Sequence, residues 1–228
     1  MTDEPTNFLY PFIDGPASGA NDPASLLADL AASAQAKAAE SLALRRATLH
    51  ANADLLDRAA AELARRFAAG GRLFTFGNGG SCTDSTTLAQ LFARPPIGRP
   101  LAAWSLTADP AILTALGNDV GFELVFARQL IAHARAGDIA IAMSTSGNSP
   151  NLLTALAEAR RRGLYTVGFA GYDGGAFVDN ADVDCCFVVR SQSVHRIQEA
   201  QALLGYSLWS ATHERSGGPD VAADVGAA

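Results

Sequence analysis

The residues best equipped for chemistry lie in one stretch, Ser144-Thr-Ser-Gly-Asn-Ser149, between the apolar run Ile139–Met143 and a helix-prone segment that opens at Pro150. Ser149 suits an N-cap and Pro150 the first helical turn, where a missing N–H costs nothing. The hydroxyls of Ser144, Thr145, Ser146 and Ser149 then gather at a helix N-terminus, whose unpaired N–H groups and dipole favour an anion. The chemistry this implies is phosphate binding. A second loop, Gly77-Asn-Gly-Gly-Ser81, follows the apolar run Leu73–Phe76. Its glycines, Gly79 among them, permit positive φ and close backbone approach, while Asn78 and Ser81 supply hydrogen-bonding side chains. It has neither the Gly-Lys-[Ser/Thr] of a Walker loop nor the spacing of a dinucleotide fingerprint. Ser81 and Asp84 also form a Ser-x-x-Asp capping pattern, so Asp84 receives a structural rather than a catalytic assignment.

These loops need a scaffold that presents them on one edge. Short apolar runs at Leu73–Phe76, Leu101–Leu106, Ile139–Met143, Tyr165–Ala170 and Cys185–Val189 alternate with helical stretches near 82–93, 110–134, 150–162 and 195–213. That rhythm predicts βαβ units, a parallel sheet covered on both faces, and ligands beyond the carboxyl ends of the strands. Upstream, residues 23–69 are rich in Ala, Leu, Glu, Arg and Lys and read as two helices with a break near residues 40–50. Residues 1–22 and 215–228, rich in Gly, Pro, Ala and Asp, read as flexible tails around a single domain over 23–214.

Composition narrows the function classes. A 228-residue chain that is 49% hydrophobic can bury one sizeable core, and its net charge of −6 argues against a sequence-independent grip on nucleic acid. The one basic cluster, Arg160-Arg-Arg162, falls at a helix C-terminus, where it complements the dipole. Cys82, Cys185 and Cys186 form no Cys-x-x-Cys pair, no signal peptide is visible, and no apolar run reaches the ~20 residues of a membrane helix. A cytoplasmic protein is expected. His50, His133 and His213 lack clustered partners and read as solvated or internally satisfied.

Taken in order, strand–GNGGS–helix, Gly117-Asn-Asp119, strand–STSGNS–helix, Gly171-Tyr-Asp-Gly-Gly175 and Arg196-Ile-Gln-Glu199 resemble the sugar isomerase (SIS) domain family. The resemblance is strongest to the phosphoheptose isomerase subfamily, which includes the DnaA initiator-associating protein, and it spans about residues 25 to 213. It implies an α/β, flavodoxin-like five-stranded parallel sheet with helices on both faces, preceded by N-terminal helices, and a homotetramer with sites between subunits. It also implies that Ser144, Thr145, Ser146 and Ser149 hold the phosphate, with Asn78, Gly79, Ser81 and Gln198 on the sugar phosphate. Asp109 matches an acidic position near the family's sugar site and equally suits a helix cap before Pro110.

The family's metal site implies a different expectation. Its His, Glu and second His positions are occupied here by Thr87, Leu91 and Tyr206, leaving only Gln198 of the ligand set. Leucine cannot bind a metal, and threonine and tyrosine replace imidazole poorly, so no zinc or other cofactor is expected. On the last helix His195 precedes Glu199 by four residues and stands where many relatives carry an acid; the pair suits either a general base or a surface i, i+4 contact. Val194, Ile197, Leu204 and Leu208 form the stripe expected to face the core. The expected function is that of a phosphosugar-binding protein resembling sedoheptulose 7-phosphate isomerase. The alternative is a non-catalytic, phosphosugar-responsive regulator or scaffold. Sugar phosphate is the expected partner, with no direct nucleic-acid or membrane binding.

Overall fold

The computed structural model describes residues 23–217. The expected tail over 1–22 lies outside the described residues, as does 218–228, while residue 215 is helical rather than part of a tail. The chain divides into two compact units, Met1–Ser41 and Leu42–Ala228. In the first, the described residues open helix α1 (Pro23–Ala51), and residues 27–40 are exposed all round. The second unit starts with the last turns of α1 and continues with α2 (Ala53–Ala68). The break between these helices falls at Asn52, not within 40–50. Residues 41–51 contain no helix breaker, whereas the Asn52 amide turns back to donate to the Thr48 carbonyl at 2.8 Å.

The rest of this unit is a five-stranded parallel sheet of β1 (Leu73–Gly77), β2 (Ala103–Ser105), β3 (Ile139–Met143), β4 (Tyr165–Gly171) and β5 (Cys185–Val189) in the order β2-β1-β3-β4-β5. The strand order reverses between β1 and β3, whose register runs from Leu73↔Ile139 to Gly77↔Met143. Helix α3 (Gly80–Ala93) follows β1, α6 (Pro150–Arg161) follows β3 and α7 (Val194–Arg215) follows β5. Both glycine-containing loops therefore leave the sheet at its switch point, where doubly wound sheets bind ligands. β2 is shorter than the expected Leu101–Leu106 because it is an edge strand paired only with β1. The helix expected over 110–134 is two, α4 (Pro110–Asp119) and α5 (Val125–His133), separated at Gly121, which takes φ +96°. Only glycine accepts that conformation cheaply.

Period-two alternation assigns the two faces of the sheet. Ile139, Ile141 and Met143 of β3 join Leu63, Phe92, Leu204 and Trp209 in one core under α2, α3 and α7. Ala140 and Ala142 join Phe76, Phe126, Leu130 and Leu156 in the other, where small strand residues let α5 and α6 approach closely. Full burial of a side chain such as Phe76 contributes roughly 1.5–3 kcal/mol. The expected core stripe of α7 holds for Ile197, Leu204 and Leu208, but Val194 is exposed because it lies in the first turn, beyond the edge of the sheet. His213, by contrast, is buried between Phe92 and Trp209, with Nε2 3.1 Å from the Arg99 carbonyl oxygen. His50 is exposed in the last turn of α1. The arginines ending α6 are all ion-paired, Arg161 and Arg162 to Glu158 and Arg160 to Asp184. No helix among the described residues is long and apolar enough to cross a membrane.

Candidate functional site

The hydroxyl loop rests on Ser144, whose backbone is caught from two sides. Its N–H donates to Phe169 O at 2.9 Å, and its carbonyl accepts from the Gln201 amide at 2.7 Å. Its own hydroxyl accepts from Gly147 N at 3.0 Å, and that of Ser146 accepts from Asn148 N at 3.2 Å. A hydroxyl oxygen that accepts a backbone N–H keeps its proton to give away, which is the polarity an anion needs. Ser149 occupies the N-cap of α6 but makes no side-chain cap bond, so its hydroxyl is not spent on the helix. Thr145 and Ser146 are partly exposed beside it, whereas Ser144 is turned inward.

The loop is held from outside by the turn after β4. Gly171 N donates to Thr145 O at 2.9 Å, and Ala176 N donates to Asn148 Oδ1 at 2.8 Å. Gly147 adopts φ +67°, and a Cβ there would sit 2.1 Å from the Gly174 carbonyl oxygen. The glycine loop faces the same space. Asn78 and Asn151, the latter in the first turn of α6, exchange two amide hydrogen bonds of 2.9 Å and so fasten the two loops together. Asn151 belongs to no motif in the sequence; its signal is a polar residue at the buried start of a helix.

Gly79, at φ +55°, is the N-cap of α3, and Ser81 lies inside the helix. The Ser81–Asp84 capping pattern is therefore not used. Asp84 instead turns toward α7, where its Oδ2 accepts from Gln198 Nε2 at 3.4 Å, and half-burial pushes its carboxyl group above the ordinary carboxylate range. Gly80 makes this meeting possible: a Cβ on it would lie 2.1 Å from Gln198 Nε2. Asn78, Asp84, Gln198 and the hydroxyl loop thus gather at the carboxyl ends of β1 and β3, with Ser81 buried beneath them in the first turn of α3.

The remaining expected residues are placed more loosely. His195 and Tyr206 are exposed on α7, the latter packed against Trp209 with ring centroids 5.2 Å apart and the rings tilted by 49°. Glu199 accepts from Arg45 Nη2 at 3.1 Å. Asp109 caps α4, accepting from Ala111 N at 2.9 Å, and lines a separate cavity of about 330 Å³ with Trp104, Ile112 and His133. Thr87 is exposed and gives its hydroxyl to Thr83 O at 3.0 Å, while Leu91 packs against the core. Among the described residues no group of three or more His, Cys, Asp or Glu side chains could hold a metal ion.

A loop of this construction at a β1/β3 switch point narrows the family, and the SIS domain model matches residues 38–171, which include both loops. The chain belongs to the SIS-domain family. This SIS-domain chain is 50% identical over 143 residues to a phosphoheptose isomerase of Paramagnetospirillum magneticum, covering 62% of the chain and 73% of that relative. It is 41% identical over 170 residues to the phosphoheptose isomerase of a Roseiflexus species, covering 73% of the chain and 84% of that relative. Among solved structures, a phosphoheptose isomerase from Neisseria gonorrhoeae superposes with a TM-score of 0.75 at 32% identity, over 81% of this chain and 99% of that one. The expected α/β SIS architecture is the one found.

Proposed function

We propose that this SIS-domain chain binds a sugar phosphate, with the phosphate on Thr145, Ser146 and Ser149 and the sugar reaching toward Asn78, Ser81 and Gln198. We further propose that it interconverts the aldose and ketose forms of that sugar phosphate, as the names of its relatives suggest. The observation carrying this reading is the uncapped Ser149 beside proton-bearing hydroxyls at the N-terminus of α6, fastened to the glycine loop by the Asn78–Asn151 pair. Isomerisation needs a base for the proton α to the carbonyl, an acid that moves protons between oxygens, and stabilisation of the enediolate. Asp84, raised by burial, and His195, open on the first turn of α7, are assigned the proton transfers, with Gln198 orienting the sugar. Glu199, engaged by Arg45, has the lesser part of steadying α7.

Zinc in the family's arrangement does not fit these side chains. Thr87 spends its hydroxyl on its own helix, Leu91 has no donor atom, and Tyr206 packs at a tilt against an indole ring. No step is assigned to a metal. The same substitutions favour a second reading, a phosphosugar-responsive regulator without turnover. Incubation with sedoheptulose 7-phosphate, with zinc or with chelator, separates the two readings. Isomerisation that survives chelator and disappears in His195→Ala or Asp84→Asn supports the enzyme. Thermal stabilisation by the sugar phosphate without turnover supports the regulator, and the absence of both effects overturns phosphosugar binding.

Assembly and location belong to the same proposal. A helix exposed all round, carrying Leu27 at 67% and Leu30 at 58% exposure, is poorly stabilised on its own and suits packing against further copies in a homotetramer. Light scattering on the full chain tests this. Three free cysteines suit a reducing cytoplasm, and a net charge of −6 suits a protein that shifts no DNA in a gel at low salt.

A further inference from the structure

Gln201 is a fully buried amide in the middle of the apolar face of α7, between Ile197 and Leu204. Its Nε2 donates to the Ser144 carbonyl at 2.7 Å, whereas its Oε1 is buried with no hydrogen-bond partner. Leaving a buried acceptor unpaired is costly, and an aliphatic side chain of similar size would avoid that cost. What the amide contributes in return is one short bond, made to the residue on which the hydroxyl loop pivots. Ser144 is the last residue before the loop turns. Its N–H is fixed by β4 and its hydroxyl holds Gly147 N, so the Gln201 bond sets the remaining freedom of its peptide plane. Three residues earlier on α7, Gln198 reaches the glycine loop and Asp84. One helix therefore presents two amides to both ligand loops.

We infer that Gln201 is a positioning residue for the anion site, holding the Ser144–Ser149 loop in its binding geometry from behind. It touches no ligand; it aims the groups that do. The inference deepens the phosphosugar reading and in part rests on it. Removing the amide exchanges one unpaired acceptor, Gln201 Oε1, for another, the Ser144 carbonyl, so fold stability changes little while the loop loosens.

The test uses the full chain, inorganic phosphate as the probe, and Gln201→Met, with Gln201→Asn as a shorter amide that no longer reaches Ser144. Calorimetric titration is expected to give a phosphate Kd raised about tenfold or more in both variants, with the thermal midpoint within a few degrees of the parent in Gln201→Met and lower in Gln201→Asn, whose shorter amide stays buried without partners. Leu208→Ala, a core truncation on the same helix, is expected to lower the midpoint clearly and leave Kd unchanged. Amide exchange at Gly147 and Asn148 is measured in parallel without ligand and is expected to accelerate at least tenfold in the Gln201 variants. If the parent binds no phosphate, the phosphosugar reading fails while the exchange data still judge Gln201. Unchanged exchange and unchanged Kd in either folded variant overturn the inference. So does an affinity loss that merely follows the loss of thermal stability.

Discussion

Gly147→Ala offers the most direct probe of how the hydroxyl loop is built. Two penalties add at this position. The φ of +67° forces an L-residue into the left-handed region, which costs roughly 1–2 kcal/mol. The new Cβ would also lie 2.1 Å from the Gly174 carbonyl oxygen and 3.0 Å from its carbon, both backbone atoms that cannot rotate away. Backbone displacement of this kind adds typically about 1–3 kcal/mol. Gly70 provides the control, because its φ is +82° and nothing lies within 4 Å of an added Cβ. Gly70→Ala should therefore show the left-handed penalty alone. Urea unfolding of the two variants, at matched slopes, is expected to show Gly147→Ala less stable than Gly70→Ala by about 1–3 kcal/mol. Phosphate affinity should fall only in Gly147→Ala. Equal stabilities would mean that the Gly174 contact does not constrain the loop, and the proposed preformed anion cradle would fall with it.

Further outcomes follow from the same geometry. Ser149→Ala should change stability by less than about 0.5 kcal/mol, since no cap bond is lost, yet weaken phosphate binding several-fold; a full capping penalty of about 1 kcal/mol in thermal or urea unfolding would show that the hydroxyl serves the helix. Glu62, hydrogen-bonded by Arg65 and Arg66, is held at about 2, below the ordinary 4.5. Its contribution to stability is therefore complete above pH 4.5 and lost as pH falls toward 2, so the stability gap between the parent and Glu62→Gln should close over that interval in acid titrations of unfolding. Asp84 behaves in the opposite sense. Burial raises its folded value above 3.8, so the ionised form destabilises as pH climbs through that value, and Asp84→Asn should raise the thermal midpoint at pH 7 but not at pH 3. A midpoint gain of equal size at both pH values would trace the effect to packing instead.

Much of this protein is legible in its sequence because the decisive signals are local. Short apolar runs bounded by turn residues place β3 and β5 at their observed ends, and Pro150 after Ser149 places the start of α6. The hydroxyl loop follows from that neighbourhood alone, since a helix N-terminus and its hydroxyls are consecutive in the chain. Where the local signal is ambiguous, tertiary contacts decide. Ser81-x-x-Asp84 is a plausible cap by spacing, but the left-handed Gly79 begins the helix earlier and the Asp84 carboxyl finds Gln198, distant in sequence. His195 and Glu199 share a helix face, yet Arg45 of α1 supplies a partner for Glu199 that no spacing rule on α7 reveals.

What the sequence determined by itself is therefore the parallel α/β layering and the anion-favouring loop, because hydrophobic period, glycine and capping residues act within a few positions of one another. What only the tertiary structure decided is how that loop is held. The Asn78–Asn151 clasp, the Gly80–Gln198 approach and the Gln201–Ser144 bond join residues on different helices and strands. Such contacts exist only once the sheet has brought the carboxyl ends of β1 and β3 side by side.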